Sequence, residues 1–465
     1  MALALGRIIV EKGLGHVGAF SQEEADLFRD VNVAELAEAS QVQVEKLEQL
    51  ALILASTDRS LVIPGGYPAG QKNGFTSYKA IQGLNLILRR IGQRGGVYLS
   101  QPSPIDTLPG APAMDSFMEI MALIERINSG EVEVLFIHGA NPVYELPSAA
   151  GFVEAVSKVP FVVSFSSIVD ESAVQSDLIL PDHSYLETWG YQVASPGGDR
   201  PSVSSQQPVV QPLFDTRSTG NLILALAEEQ GGEVAEALPW ANELLFLEDA
   251  SGGLFLSSLS PYNVKTAGDF WSAWRQYGGW WTRRELYHEP DVTGFFDQPL
   301  KAIEPSFEGA SEEYPYHLYP YSGVALGDGS CAHLPWLQEL PDPMTTACWQ
   351  TWVEINPQTA LSIGVKENEI VKVVSPHGEI TAVVVVYPGI RPDVIAAPIG
   401  QGHTDLGRYA ANRGANPMQM LAAVIDEDSG ELAWGATRVR VEPTGETYKL
   451  ARLESLEGEG RETVR

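Results

Sequence analysis

The stretch VEVLFIHGANP (132–142) decides how its surroundings fold. An apolar run without in-and-out alternation breaks off into a Gly-Ala-Asn-Pro turn. Strands of that kind belong to parallel sheets covered on both faces. The residues beyond it extend the pattern: 148–158 read as a helix, FVVSFS (161–166) as a second strand and DLILP (177–181) as a third. Strands alternating with helices predict a parallel, Rossmann-like α/β lobe, whose ligands sit at the carboxyl ends of the strands. His138 to Asn141 stand at one such end. No GxGxxG or Walker A loop accompanies them, so ordinary dinucleotide or triphosphate binding has little support.

Upstream, Ser40 with Gln43 fits a capping box ahead of Val44, Leu47, Leu50 and Leu54, which share a helix face. LVIPGG (61–66) reads as a buried strand. Tyr78, Ile81, Leu84, Leu88 and Ile91 mark a second amphipathic helix, closed by Gly92 and followed by GGVYLS (95–100). Downstream, Trp271, Trp274, Trp280 and Trp281 crowd an irregular region, and such clusters serve cores or interfaces.

From Glu313 the pattern turns to β. Asn356 caps a short helix with Pro357 at its first position and Gly364 at its end. EIVKVVS (369–375) and ITAVVVVY (380–387) form a hairpin about a Pro-His-Gly-Glu turn, and VIAAPIG (394–400) continues it, which predicts a barrel. The chain then divides into α/β lobes over 1–230, an irregular connection over 231–310, a barrel over 311–450 and a charged tail over 451–465. GQGHTDLGRYAANRGANP (400–417) leaves the barrel rim. Its His403, Arg408, Asn412, Arg413 and Asn416 offer donors to a polar or phosphate-bearing ligand. The plainer alternative is a loop pinned by its own hydrogen bonds, where His403→Ala costs about 1 kcal/mol.

The formal charge of −30 over 465 residues argues against nucleic acid or an anionic membrane as partner. No run approaches the roughly 18 apolar residues of a membrane span, and MALALGRIIVEKGLG (1–15) is a poor secretory leader. Cys331 and Cys348, without a CxxC, cannot hold a cluster alone and are expected to be unreactive buried thiols, with a disulfide between them as the alternative.

FIHGANPVYELP (136–147), DESAVQSDLILPDHSYLETWG (170–190) and WVEINPQTALSIGVKENEIVKVVSPHGEI (352–380) resemble, in that order, the carboxyl-terminal half of the molybdopterin oxidoreductases of the dimethyl-sulfoxide-reductase type. The resemblance runs from about residue 35 to 445. It implies parallel-sheet lobes followed by a β-barrel of the double-psi type. The family's cluster domain, first nucleotide-binding segment and molybdenum-ligating residue have no counterpart, so the resemblance implies one half of a split protein. GQGHTDLGRYAANRGANP and PWLQELPDPMT (335–345) are most similar to the molybdopterin-like subunit of alternative complex III, a membrane-bound quinol-oxidising assembly. That implies a non-catalytic scaffold with no cofactor of its own, peripheral to the membrane on its extracytoplasmic side. Its partners would be the amino-terminal half, an iron–sulfur subunit, a multihaem cytochrome c and integral-membrane quinol-binding subunits, with clusters and haem on those chains. In true molybdoenzymes the 400–417 segment closes over a pterin guanine dinucleotide, so His403, Asn412, Asn416 and Asn141 become the candidate, vestigial cofactor contacts. The alternative is the carboxyl-terminal half of an active molybdopterin-dependent oxidoreductase.

Overall fold

The computed structural model describes residues 1–15, 20–98, 116–193, 200–257, 260–283, 294–296 and 298–453. Strands β1 (Val134–Ile137), β2 (Phe161–Ser164) and β3 (Leu178–Ile179) form a parallel sheet in the order β1-β2-β3. In register, Val134 lies opposite Phe161, and Val163 lies between Phe136 and Leu178. Helix Phe117–Asn128 and helix Phe152–Val156 cover one face, where Phe117, Ile124, Ile127, Phe152 and Ala155 pack with Ile137 and Val162. The helix expected over 148–158 is broken in two by Gly151 at φ +73°, which separates a 3-10 turn from Phe152–Val156.

An antiparallel sheet follows, with β5 (Ser202–Gln206) between β4 (Gly190–Val193) and β6 (Gly279–Trp281). Its core holds Val203, Leu247, Leu254, Phe270, Trp271, Trp274 and Trp280. Three of the four crowded tryptophans are therefore core, while Trp281 is exposed.

The last six strands close into a barrel: β7 (Tyr316–Ser322), β8 (Trp352–Ile355), β9 (Glu369–Ser375), β10 (Gly378–Val386), β11 (Val394–Ile399) and β12 (Arg438–Thr447). Around it the order is β10-β8-β11-β7-β12-β9, with β8/β10 and β7/β11 parallel and the other pairs antiparallel. Leu318, Val353, Ile355, Val371, Val373, Val384 and Ile395 fill it. Helix Pro357–Ile363 begins where Asn356 Oδ1 accepts the Gln358 N–H and ends at left-handed Gly364, as read from the sequence. A parallel α/β sheet and a closed carboxyl-terminal barrel are the expected fold class.

Two compact units result: 1–68, 75–114 and 181–304 form one, and 69–74, 115–180 and 305–465 the other. The parallel sheet and the barrel share the second unit.

Several local expectations differ. Residues 61–65 are not a strand, and Ile63 is 74% exposed. The fully buried side-chain amide of Asn85 donates to Val62 O and accepts from Val62 N–H, doing for one residue what a neighbouring strand does for several. Ser40 ends helix Val33–Ala39 instead of opening the next, and Gln43 caps Val44–Ser56 without a side-chain bond. The second amphipathic helix spans Gly74–Ile87 and stops before Arg89, which is left-handed at φ +59°. Cys348 is buried but Cys331 is exposed, and both are free thiols. The end of GGVYLS and most of the 451–465 tail lie outside the described residues. Among the described residues, no helix is long and apolar enough to cross a membrane.

Candidate functional site

The carboxyl ends of β1 and β2 lead into two short helices. After β1, Gly139 turns the chain at φ +65°, and Asn141 precedes helix Pro142–Glu145. After β2, Asp170 caps helix Glu171–Val174 by accepting the Ala173 N–H at 2.8 Å, and Ser166 Oγ donates to its other oxygen at 3.0 Å. Asn141 ties the two together. Its Nδ2 donates to Glu171 at 2.7 Å, and its Oδ1 accepts from the Ser172 hydroxyl at 2.7 Å and from the Ser172 N–H at 3.1 Å.

The barrel-rim loop 400–417 meets this corner. His403, 1% exposed, faces the Glu171 carboxylate through Nδ1 at 3.2 Å and the Gly329 carbonyl through Nε2 at 3.1 Å. Both ring nitrogens look at acceptors. The Thr404 and Asp405 N–H groups also donate to Glu171, at 2.6 and 3.2 Å. Tyr144 stacks on the imidazole with ring centroids 3.7 Å apart, and its hydroxyl donates to Gln401 O at 2.9 Å. Asn416 donates to Tyr144 O and accepts the Met418 N–H, while Gln419 donates to Tyr144 O and Leu146 O. Gly329, at φ +102°, has no side chain for a reason: a Cβ there would stand 2.9 Å from Tyr144 Oη and 3.0 Å from His403 Nε2.

Electrostatics follow from this wiring. Burial opposes ionisation of Glu171, but hydrogen bonds from His403 and Asn141, with the charge of His403, outweigh it and hold the carboxyl at about 2. Burial, and then the Glu171 charge, push the Tyr144 phenol well above its ordinary range. Burial also raises Glu145, against the bond from Asn141 N–H.

Beside the network lies an open depression, lined among others by Gly323, Leu326, Gln338, Trp349, Gln350 and Gln401. Gln401 and Gln338 pair their amides in its wall. The Arg413 guanidinium lies over the Trp349 ring at 4.7 Å, and its Nε is buried without a partner. His333 Nδ1, on the loop between β7 and β8, is buried and unpartnered as well.

Of the residues nominated from sequence, Asn141, His403 and Asn416 thus meet in one network, each bonded within the protein. Asn412 stands outside it, exposed and left-handed at φ +59°, with its N–H on His403 O. Glu171, Tyr144, Gln401 and Gly329 escaped the sequence reading. Glu171 lies in the 170–190 stretch that carried the family resemblance, but nothing local distinguishes it from the chain's other carboxylates.

Comparison with known sequences gives the class of protein. The Molybdopterin oxidoreductase profile matches residues 14–229 and the Molydopterin dinucleotide binding domain profile matches residues 340–433. The chain is built from molybdopterin oxidoreductase domains.

Individual relatives narrow this further. The chain is 26% identical over 455 residues to the menaquinone reductase, molybdopterin-binding-like subunit of Nitratidesulfovibrio vulgaris, covering 95% of this chain and 61% of that protein. It is 26% identical over 384 residues to the arsenate respiratory reductase molybdopterin-containing subunit ArrA of Shewanella sp., covering 67% and 44%. It thus spans 44% to 61% of these relatives' length. Acetylene hydratase from Pelobacter acetylenicus shares the fold, with a TM-score of 0.72 at 16% identity over 95% of this chain and 70% of that one.

These matches overturn one expectation. The resemblance implied a chain with no cofactor of its own, yet both profiles describe molybdopterin domains, and the dinucleotide-binding one lies over the depression and the 400–417 loop. The residues present fit such a group. A flat indole face, side-chain amides and an unpartnered guanidinium nitrogen suit a polar heterocycle with a phosphate tail.

Proposed function

We propose that this chain is the carboxyl-terminal part of a molybdopterin-dependent oxidoreductase and holds part of the pterin dinucleotide at its barrel rim. One observation carries the reading: the segment matched as a dinucleotide-binding domain supplies most of the residues lining the depression, Trp349 among them, and Arg413, whose buried Nε has no hydrogen-bond partner among the described residues. When bound, the group supplies metal-centred oxidation and reduction. The chain's own residues bind and orient it. Arg413 would neutralise a phosphate, and Trp349 and Gln350 would take a ring face and its polar edge. His403, Asn141 and Asn416 hold the loop in place through Glu171 and Tyr144, with Asn412 on its exposed side. They act as positioning residues.

The menaquinone reductase relative favours a quinone-linked assembly. Within it, an iron–sulfur subunit, a multihaem cytochrome c and integral-membrane quinol-binding subunits would carry electrons to or from the pterin, with this chain peripheral on the extracytoplasmic side. Elemental analysis of the protein purified from its source, with mass spectrometry for the oxidised pterin, tests the reading. About one molybdenum and its pterin per chain are expected. Absence of both overturns it.

A further inference from the structure

Strands β7, β11 and β8 turn Leu318, Ile395, Ala397, Val353 and Ile355 into the barrel, and their other faces carry a different chemistry. Alternation along each strand puts Tyr319 and Tyr321 of β7 outside, with Ala396 and Pro398 of β11 and Trp352 and Glu354 of β8. In register Ala396 stands between Tyr319 and Glu354, and Pro398 lies opposite Tyr321. Ala396 and Pro398 are buried and short, so the longer side chains of the flanking strands meet over them. The Tyr321 hydroxyl donates to Glu354 Oε1 at 2.7 Å, and the Trp352 indole N–H donates to the same oxygen at 3.3 Å. The Tyr319 and Tyr321 ring centroids are 6.0 Å apart, and the half-buried Trp434 lies another 6.0 Å from Tyr319. Trp352 is buried and also lines the depression.

A glutamate on the outer face of a strand ordinarily keeps its carboxylate in water. Here one oxygen is shared by two aromatic donors. Burial, then the bond to Glu354 and its charge, push the Tyr321 phenol well above its ordinary range. The phenol therefore stays neutral at ordinary pH, with a base already in place on its proton. Loss of an electron reverses the preference, because a phenol radical cation is a strong acid. Its proton then passes along the existing bond to Glu354, and the coupled loss of electron and proton is easier than loss of the electron alone.

We propose that Tyr321, with Glu354 as proton acceptor and Trp352 as its link to the depression, is a redox-active tyrosine that draws one-electron oxidising equivalents away from that site. The oxidant is an oxygen-centred radical at the depression. It takes one electron from Tyr321 by way of the Trp352 ring and becomes an anion, which water protonates. The Tyr321 O–H bond breaks, a carboxylic O–H forms on Glu354, and a neutral phenoxyl radical remains. A one-electron reductant of the ascorbate class, reaching the rings of Tyr319 and Trp434, restores the electron, and Glu354 returns the proton. The proposal extends the cofactor reading to what guards the same site, but its test needs no cofactor, so either can fail alone.

The test attaches a thiol-coupled ruthenium photosensitiser to a Val324→Cys variant of the full chain. Val324 lines the depression and is 77% exposed, and Cys331→Ser removes the competing exposed thiol. Flash oxidation of this parent should give a neutral tyrosyl radical, read by electron paramagnetic resonance. Adding Tyr321→Phe should lower its yield about tenfold, and adding Glu354→Gln should slow its formation about tenfold. In the parent alone, a nitroso spin trap followed by peptide mass spectrometry should place the adduct on Tyr321, which keeps the proposal testable if a variant fails to fold. No tyrosyl signal in the parent, an adduct on another tyrosine, or an undiminished yield from Tyr321→Phe overturns the redox role. An unchanged rate in Glu354→Gln overturns Glu354 as the acceptor and with it the proposal as stated.

Discussion

The tryptophan core of the first unit and the Glu171–His403 corner of the second are both buried, but they are held by different forces. Around Trp280, contacts are apolar and non-directional, and its Nε1 is buried with no hydrogen-bond partner among the described residues. Around Glu171, the carboxylate accepts from His403, Asn141, Thr404 and Asp405 together. An apolar core of the right volume can settle in more than one arrangement, whereas a buried charge tolerates only the arrangement that satisfies it. The corner therefore fixes geometry, and it joins residues more than two hundred positions apart. The tryptophan core supplies stability.

Substitution at the centre of each region gives the largest expected effects. Trp280→Ala should cost about 3–5 kcal/mol through lost contacts and a cavity. Glu171→Ala should cost about 3–5 kcal/mol, because it leaves the buried His403 ring and the Asn141, Thr404 and Asp405 donors without their shared acceptor. They should differ in place. Hydrogen exchange should rise around β4–β6 in the first variant, and around residues 400–417 and 141–146 in the second. Exchange that spreads equally through both regions in both variants would erase the distinction. His403→Ala belongs with Glu171→Ala, well above the 1 kcal/mol assigned to a loop with an ordinary hydrogen bond. The 400–417 segment alone could not reveal that the partner of His403 is a buried carboxylate 232 positions earlier.

Next in size is Gly329→Ala. A methyl there has no room between Tyr144 and His403, and φ +102° is hostile to any side chain, so about 1–3 kcal/mol is expected. Thermal denaturation measures it, and a cost below about 0.5 kcal/mol would mean that the loop gives way more easily than the corner implies.

The corner should also respond to acid. Glu171 ionises at about 2 in the folded chain against an ordinary 4.5, so its contribution is complete above pH 4.5 and is lost as pH falls through 2. The stability gap between the wild type and Glu171→Gln should be widest near neutrality and should close between pH 4.5 and 2. A gap that does not change with pH would show that the carboxylate charge contributes nothing. At the small end, Asn412→Gly should stay within about 0.5 kcal/mol, because its side chain is exposed and outside the network and glycine accepts the left-handed φ of +59°.

Legibility in the sequence follows the same division. The barrel was readable because its strands and the Asn356–Gly364 helix are specified by neighbours in sequence: alternation in β9, the hairpin to β10, and cap residues at both helix ends. The parallel sheet was readable from its apolar runs. Residues 61–65 misled because Asn85, 23 positions away, satisfies Val62 with a side chain, leaving the hydrophobic pattern of a strand without its pairing. Asn141, His403 and Asn416 were legible as polar residues at strand ends and on a rim loop. Their common partner was not, since one glutamate among 60 acidic residues carries no local mark of burial.

On the proposed function the rim loop of this chain holds a pterin, and the buried Nε of Arg413, without a hydrogen-bond partner among the described residues, is the donor it would satisfy. The ratio of pterin dinucleotide to chain in wild-type and Arg413→Ala protein, purified side by side from the source organism, tests it most directly. We predict a ratio near one in the wild type and at least tenfold less in the variant, at an unchanged melting temperature. Equal ratios in the two proteins, or no pterin in either, would contradict it.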